Sequence, residues 1–122
     1  MPNPNIADES ILVSIRGLFV EKDDTSFDDD LIMHINSTFM ILNQLGVGNS
    51  GFMITDDTSK WSDFLGAENL PFLAATKTYV SDSVKLIFDP PANSFLVSAI
   101  EKRMKEYEWR LNAQSDPPAY NV

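Results

Sequence analysis

Over most of this chain the apolar positions recur at helical rather than strand spacing. From Asp8 to Val20, the residues Ile11, Leu12, Ile15, Leu18 and Phe19 share one face, and Asp8 or Ser10 stands where a side chain caps a first turn. A second helix is expected from about Asp28 to Leu45, with Leu31, Ile32, Ile35, Phe39, Leu42 and Leu45 on one face. Gly46 and Gly48 supply the left-handed residues that end it. Met33 and Met40, seven residues apart, fall on the opposite side among Asn36, Ser37 and Gln44. An apolar strip on a polar face needs something to cover it.

The helical pattern breaks from Gly48 to Gly66. There Gly51 to Thr55 reads as a short β-like run, and Lys60 to Leu65 as a single helical turn. A third helix is expected to open with Pro71 in its first turn and to run to Phe88. Its apolar residues Phe72, Leu73, Tyr79, Val80, Val84, Leu86 and Ile87 cover the wide arc of a central helix, and Asp89-Pro90-Pro91 stops it. The fourth begins at Asn93 or Ser94 and ends near Asn112, with Leu96, Ile100, Met104, Tyr107 and Leu111 in one stripe and Phe95 and Trp109 away from it. The expected fold is all-α, a small bundle of about four helices with an irregular, partly β-like excursion between helices two and three. Residues 1–112 would form the helical domain, and 113–122, which include Pro117-Pro118, a flexible tail.

Composition narrows the function. A chain of 122 residues with 43% apolar side chains suits one domain. Its 18 acids against 9 bases give a net charge of −9. Of these, 12 acids and 3 bases lie at or before Glu68 and 6 of each after it. So negative a surface repels a phosphate backbone, which disfavours generic nucleic-acid binding. The absence of cysteine excludes disulfides and thiolate metal sites. The start, Met1-Pro2-Asn3-Pro4-Asn5, has neither the basic nor the apolar region of a signal peptide, and no apolar run approaches membrane-spanning length. A soluble, unsecreted protein without a membrane partner is expected.

Candidate chemistry is sparse. The acidic turn from Asp23 to Asp30 lacks the central glycine and terminal glutamate of a calcium loop, and it reads instead as the acidic start of a helix. His34 is the only histidine, too few for a zinc site, and it borders the apolar face of helix two. Asp56, Asp57 and Asp63 stand beside Thr58 and Ser59 as turn and capping residues. With no phosphate-cradling loop and no nucleophile motif, no enzyme activity and no cofactor are expected. What stands out is apolar placement: Met33, Met40, Phe52, Trp61, Phe64, Phe95 and Trp109. Seven such residues in a domain of this size point to a subunit interface, with Met33, Met40, Phe52, Trp61, Phe95 and Trp109 its expected members.

The chain also carries an ordered series of short motifs: Phe27-Asp28-Asp29-Asp30-Leu31-Ile32, Asn43-Gln44-Leu45-Gly46-Val47-Gly48, Gly51-Phe52-Met53-Ile54-Thr55-Asp56, Trp61-Ser62-Asp63-Phe64-Leu65-Gly66, Lys77-Thr78-Tyr79-Val80, Phe88-Asp89-Pro90-Pro91 and Glu108-Trp109-Arg110-Leu111-Asn112. In this series the chain resembles, over about Ile11 to Pro117, the head-tail connector (adaptor) proteins of long-tailed double-stranded DNA phages and prophages. The resemblance implies a structural virion protein, made in the host cytoplasm, whose copies form a ring of about a dozen at the head-tail junction. Such a ring sits beneath the portal protein, continues the DNA channel without binding DNA specifically, and carries a stopper or tail-completion protein. It implies no catalytic residues. By the same likeness the segment after Leu111, with Asn112, Pro117, Pro118 and Tyr120, would reach the portal. Two other classes fit parts of the sequence: a small acidic regulator or DNA mimic that binds a basic partner, from the net charge, and a small hydrolase, which would need a perturbed carboxylate pair in a pocket.

Overall fold

The computed structural model describes residues 6–115. After a 3-10 turn at Ile6–Asp8, five α-helices follow: α1 (Ile11–Arg16), α2 (Asp28–Gln44), α3 (Trp61–Leu65), α4 (Leu73–Phe88) and α5 (Ser94–Ser115), with a second 3-10 segment at Ala67–Phe72 leading into α4. The fold is a small all-α bundle.

The bundle is organised around α2 and α4. Leu31, Ile35, Phe39 and Leu42 of α2 face Tyr79, Val80 and Val84 of α4, all buried. At the crossing the Thr38 and Ser83 hydroxyls meet at 2.8 Å, so the polar atoms buried there satisfy each other. Helix α4 also receives α5 on another side: Arg103 Nε and Nη2 donate to both Asp82 carboxylate oxygens at 2.8 and 2.6 Å, and the Tyr79 hydroxyl donates to Glu108 Oε2 at 2.7 Å. Burial and the Glu108 carboxylate push the Tyr79 phenol above its ordinary range, which keeps it a neutral donor.

Helix α1 is shorter than its periodicity suggests. Ser10 is its cap, with Oγ accepting from the Val13 N–H at 3.2 Å. Beyond Arg16 the chain tightens into turns, since the Arg16 carbonyl accepts from the N–H groups of both Phe19 and Val20 at 3.0 Å. That turn brings Phe19 edge-on to Phe88, ring centroids 5.5 Å apart. Arg16 itself is buried and reaches the start of α2, where Nε and Nη2 donate to the two Asp28 carboxylate oxygens at 2.9 and 2.7 Å, while Nη1 donates to the Lys22 carbonyl. Asp28 is therefore the half-buried partner of a buried arginine and not only part of a solvated acidic turn.

Helix α2 ends in a Schellman arrangement: the Val47 N–H donates to the Leu42 carbonyl at 2.9 Å and the Gly46 N–H to the Asn43 carbonyl at 3.0 Å, with Gly46 at φ +91°. The excursion that follows contains no strand. Among the described residues the one β-type pairing is an isolated antiparallel bridge between Ser10 and Lys60, and residues 51–55 are irregular chain held at Gly51 and Ile54 by side chains of α2. The bridge ties the excursion to α1, with the Ile11 N–H donating to the Ser59 carbonyl at 2.9 Å. It also delivers Trp61 into the core.

Trp61 is 0% exposed, its indole N–H donates to Ser14 Oγ at 3.0 Å, and its ring meets Phe39 edge-on. The expectation that it faces a neighbouring subunit is overturned, because an aromatic with its one polar atom satisfied inside the fold belongs to the core. Phe64 is likewise buried, stacked on Phe39 at 4.2 Å, and Phe52 packs half-buried against both. Pro71 lies in the 3-10 segment before α4, not in the first turn of α4 itself. Helix α5 continues to Ser115, past the boundary expected after Asn112.

The close approach of the excursion to the rings is set by Gly48, at φ +82°, where an added Cβ would stand 2.2 Å from the Phe64 ring. Gly51, at φ +76°, has nothing within 4 Å. Gly48→Ala should therefore destabilise the fold by about 2 kcal/mol or more, backbone strain plus ring displacement, and Gly51→Ala by about 1 kcal/mol, backbone strain alone. Urea denaturation of the two variants measures the difference.

Candidate assembly surfaces

Two asparagines, seven residues apart on α2, shape the first surface. Asn36 pairs with the backbone of Ile54 in both directions: its Nδ2 donates to the Ile54 carbonyl at 2.9 Å, and its Oδ1 accepts the Ile54 N–H at 2.8 Å. Asn43 Nδ2 donates to the carbonyls of Val47 and Asn49 at 2.9 and 3.1 Å, and its Oδ1 accepts the Gly51 N–H at 3.1 Å. The side chains do for the excursion what a neighbouring strand does in a sheet, satisfying part-buried backbone groups at Ile54 and Val47 and fixing the exposed chain at Asn49 and Gly51.

Held in this way, the excursion forms one wall of a groove of about 740 Å³ whose other wall is the outward side of α2. Met33, Met40, Phe52 and Met53 give it an apolar floor and lip, with Ser37, Gln44 and Ser50 around them. Met33 and Met40 are 56% and 58% exposed, on the side of α2 opposite the core, where the sequence places them. No covering element is present among the described residues.

The second surface is α5. Among its described side chains only Leu111 is buried, and its outward side carries Phe95 at 84% and Trp109 at 69% exposure. Its inward side packs on α4, with Met104 and Tyr107 half-buried against the core beside Leu111, so the uncovered area is confined to the outward side. Asn112 is tied down, its Nδ2 donating to the Leu45 carbonyl at 3.1 Å, which fixes the end of α5 against the end of α2. Pro117, Pro118 and Tyr120 lie outside the described residues. Helix α2 thus brings Met33 and Met40 together with Phe52 and Met53, whereas Phe95 and Trp109 lie on another helix. Exposed Met53, Leu18, Ile87 and Leu96 have no counterpart in the sequence-based set. Met53 was legible only as part of a presumed strand.

Two loop carboxylates are engaged locally. Asp24 Oδ1 accepts from the Ser26 N–H at 3.0 Å, and Asp56 Oδ1 from the Thr58 N–H and hydroxyl at 2.9 and 2.6 Å; these hydrogen bonds hold both acids below the usual carboxylate range. Asp63 Oδ2 accepts the Lys60 N–H at 2.8 Å at the start of α3. No group of three or more His, Cys, Asp or Glu among the described residues is arranged to hold a metal, and no described helix is long and apolar enough to cross a membrane.

Among the described residues two separate apolar faces, the α2 groove and the outward side of α5, stand uncovered. A family model described as phage connector protein matches residues 11–118, nearly the whole chain. The chain belongs to the phage connector family. Comparison with curated proteins and with solved structures finds no match. The family is structural, and membership makes this connector a component of the virion that assembles with other phage proteins.

The groove depends on the α2 asparagines. Asn36→Ala leaves the buried Ile54 N–H without its acceptor and should cost about 1–3 kcal/mol, against less than about 0.5 kcal/mol for Ser37→Ala on the exposed side of the same turn. Denaturation midpoints and the hydrogen-exchange rate of the Ile54 amide check this.

Proposed function

We propose that copies of this connector form a ring beneath the portal, continue the DNA channel and present a platform for the stopper or tail-completion protein. The observation that carries the reading is the pair of unlike apolar faces, the α2 groove and the outward side of α5, in a chain of this family. A closed ring needs heterologous contacts, one face of each subunit against a different face of the next. A single self-complementary patch would favour a two-fold dimer instead. The acidic N-terminal half supports a channel that DNA traverses without adhering, since negative walls repel the phosphate backbone weakly at physiological salt. In this reading the chain's role is structural alone, at the head-tail junction, and residues beyond Ser115, with Pro117, Pro118 and Tyr120, reach the portal.

Co-sedimentation with portal rings from the same genome tests this. The expected result is saturable binding near one copy per portal subunit, lost when the chain is cut after Ser115, a cut that spares every described helix. Binding kept by the shortened chain would remove the role of the tail. No binding at any concentration would remove the portal from the account.

A further inference from the structure

Resting on the ring reading, we propose which faces meet: the outward stripe of α5 in one copy packs into the methionine groove of α2 in the next. Helix α4 lies against both α2 and α5, and the two faces in question are the sides of α2 and α5 turned away from it. One subunit cannot bring its own two faces together, so each is free for a second copy.

Charge and register both match. Phe95, Lys102 and Trp109 follow one another at seven-residue intervals and form a single stripe along α5. Lys102 and Lys105 are exposed and make no ion pair among the described residues. On α2, Asp29 and Asp30 are likewise exposed and outside every ion pair among the described residues, and they precede Met33 and Met40. Two cations followed by a tryptophan on one helix thus face two acids followed by two methionines on the other. At about 1.5 Å per residue, Trp109 lies about 10.5 Å beyond Lys102, and the midpoint of Met33 and Met40 lies about 11 Å beyond Asp29. With the helices parallel and Lys102 beside Asp29, Trp109 enters the groove between the methionines. Exposed tryptophan against polarisable thioethers is a favourable pairing at the centre of an interface, and the lysine-aspartate pairs at its rim set the register.

The natural chain has no cysteine, so cross-linking reports a designed pair alone. The variant Ser37→Cys/Ala113→Cys is treated with a short bismaleimide, free and on portal rings, and compared with Thr78→Cys/Ala113→Cys, whose first site lies on α4. The expected result is a ladder of multimers from the first pair and none from the second. In parallel, Lys102→Glu/Lys105→Glu should weaken self-association about tenfold, with recovery on adding Asp29→Lys/Asp30→Lys. Trp109→Ala should weaken it about thirtyfold at unchanged thermal stability. Rings without the ladder and without recovery by the charge exchange would overturn the pairing of faces and leave the ring standing. Failure to self-associate in either condition would overturn both. A Ser37→Cys thiol that becomes reactive only when the chain is cut after Ser115 would show that the groove holds the chain's own C-terminal residues, and would also overturn the proposal.

Discussion

The architecture depends on how two asparagine side chains clamp an irregular segment to a helix. Without the paired contacts of Asn36 to Ile54 and of Asn43 to Val47, Asn49 and Gly51, the N–H and carbonyl of Ile54 would lose their partners and residues 49–54 their side-chain ties to α2. Three consequences follow from the clamp. Phe52 is set against Phe39 and Phe64, which completes the aromatic cluster at the centre of the bundle. Ile54 is buried. The outward side of α2 becomes one wall of a groove rather than an open helix surface. One polar contact set thus serves the core on one side and the assembly surface on the other.

The helices are unequally supported. Helices α1, α2 and α4 bury their apolar faces against one another, and α2 is further fixed at its start by the Arg16–Asp28 pair and at its end by the turn through Gly46. Helix α5 is held by Leu111, by half-buried Met104 and Tyr107, by polar contacts to α4 and by the Asn112 tether, while Phe95 and Trp109 project outward. The proposed ring would cover that exposed side with the next copy.

Much of this was legible in the sequence, and what was not has a physical cause. The span of α2, and those of α4 and α5 to within a few residues at one end, follow from 3.6-residue periodicity with glycine and proline at the ends, and the outward placement of Met33, Met40, Phe95 and Trp109 follows from the same wheel. Periodicity gives no such guide inside the excursion. There Trp61 and Phe52 looked like surplus apolar residues, when the Ser10–Lys60 bridge and the α2 asparagines turn them inward. Alternation alone made Gly51–Thr55 resemble a strand, although its hydrogen-bond partners are side chains. Helix α1 ran short because the Arg16 carbonyl accepts from two turn amides, which hydrophobic spacing does not encode. The Asp28 partner was hidden for the same reason: Arg16 lies twelve residues away in the chain.

The central claim is that the two exposed apolar faces exist to be covered in the assembled connector, and oxidative footprinting tests it most directly because Met and Trp are its most reactive targets. The chain is labelled with hydroxyl radicals alone and after assembly on portal rings, and modification is read residue by residue by mass spectrometry. The account predicts that Met33, Met40 and Trp109 are oxidised readily in the free chain and become protected together on assembly, while buried Trp61 stays unreactive in both states. If those three are oxidised as fast in the assembly as in the free chain, the faces are not the contacts and the account is wrong.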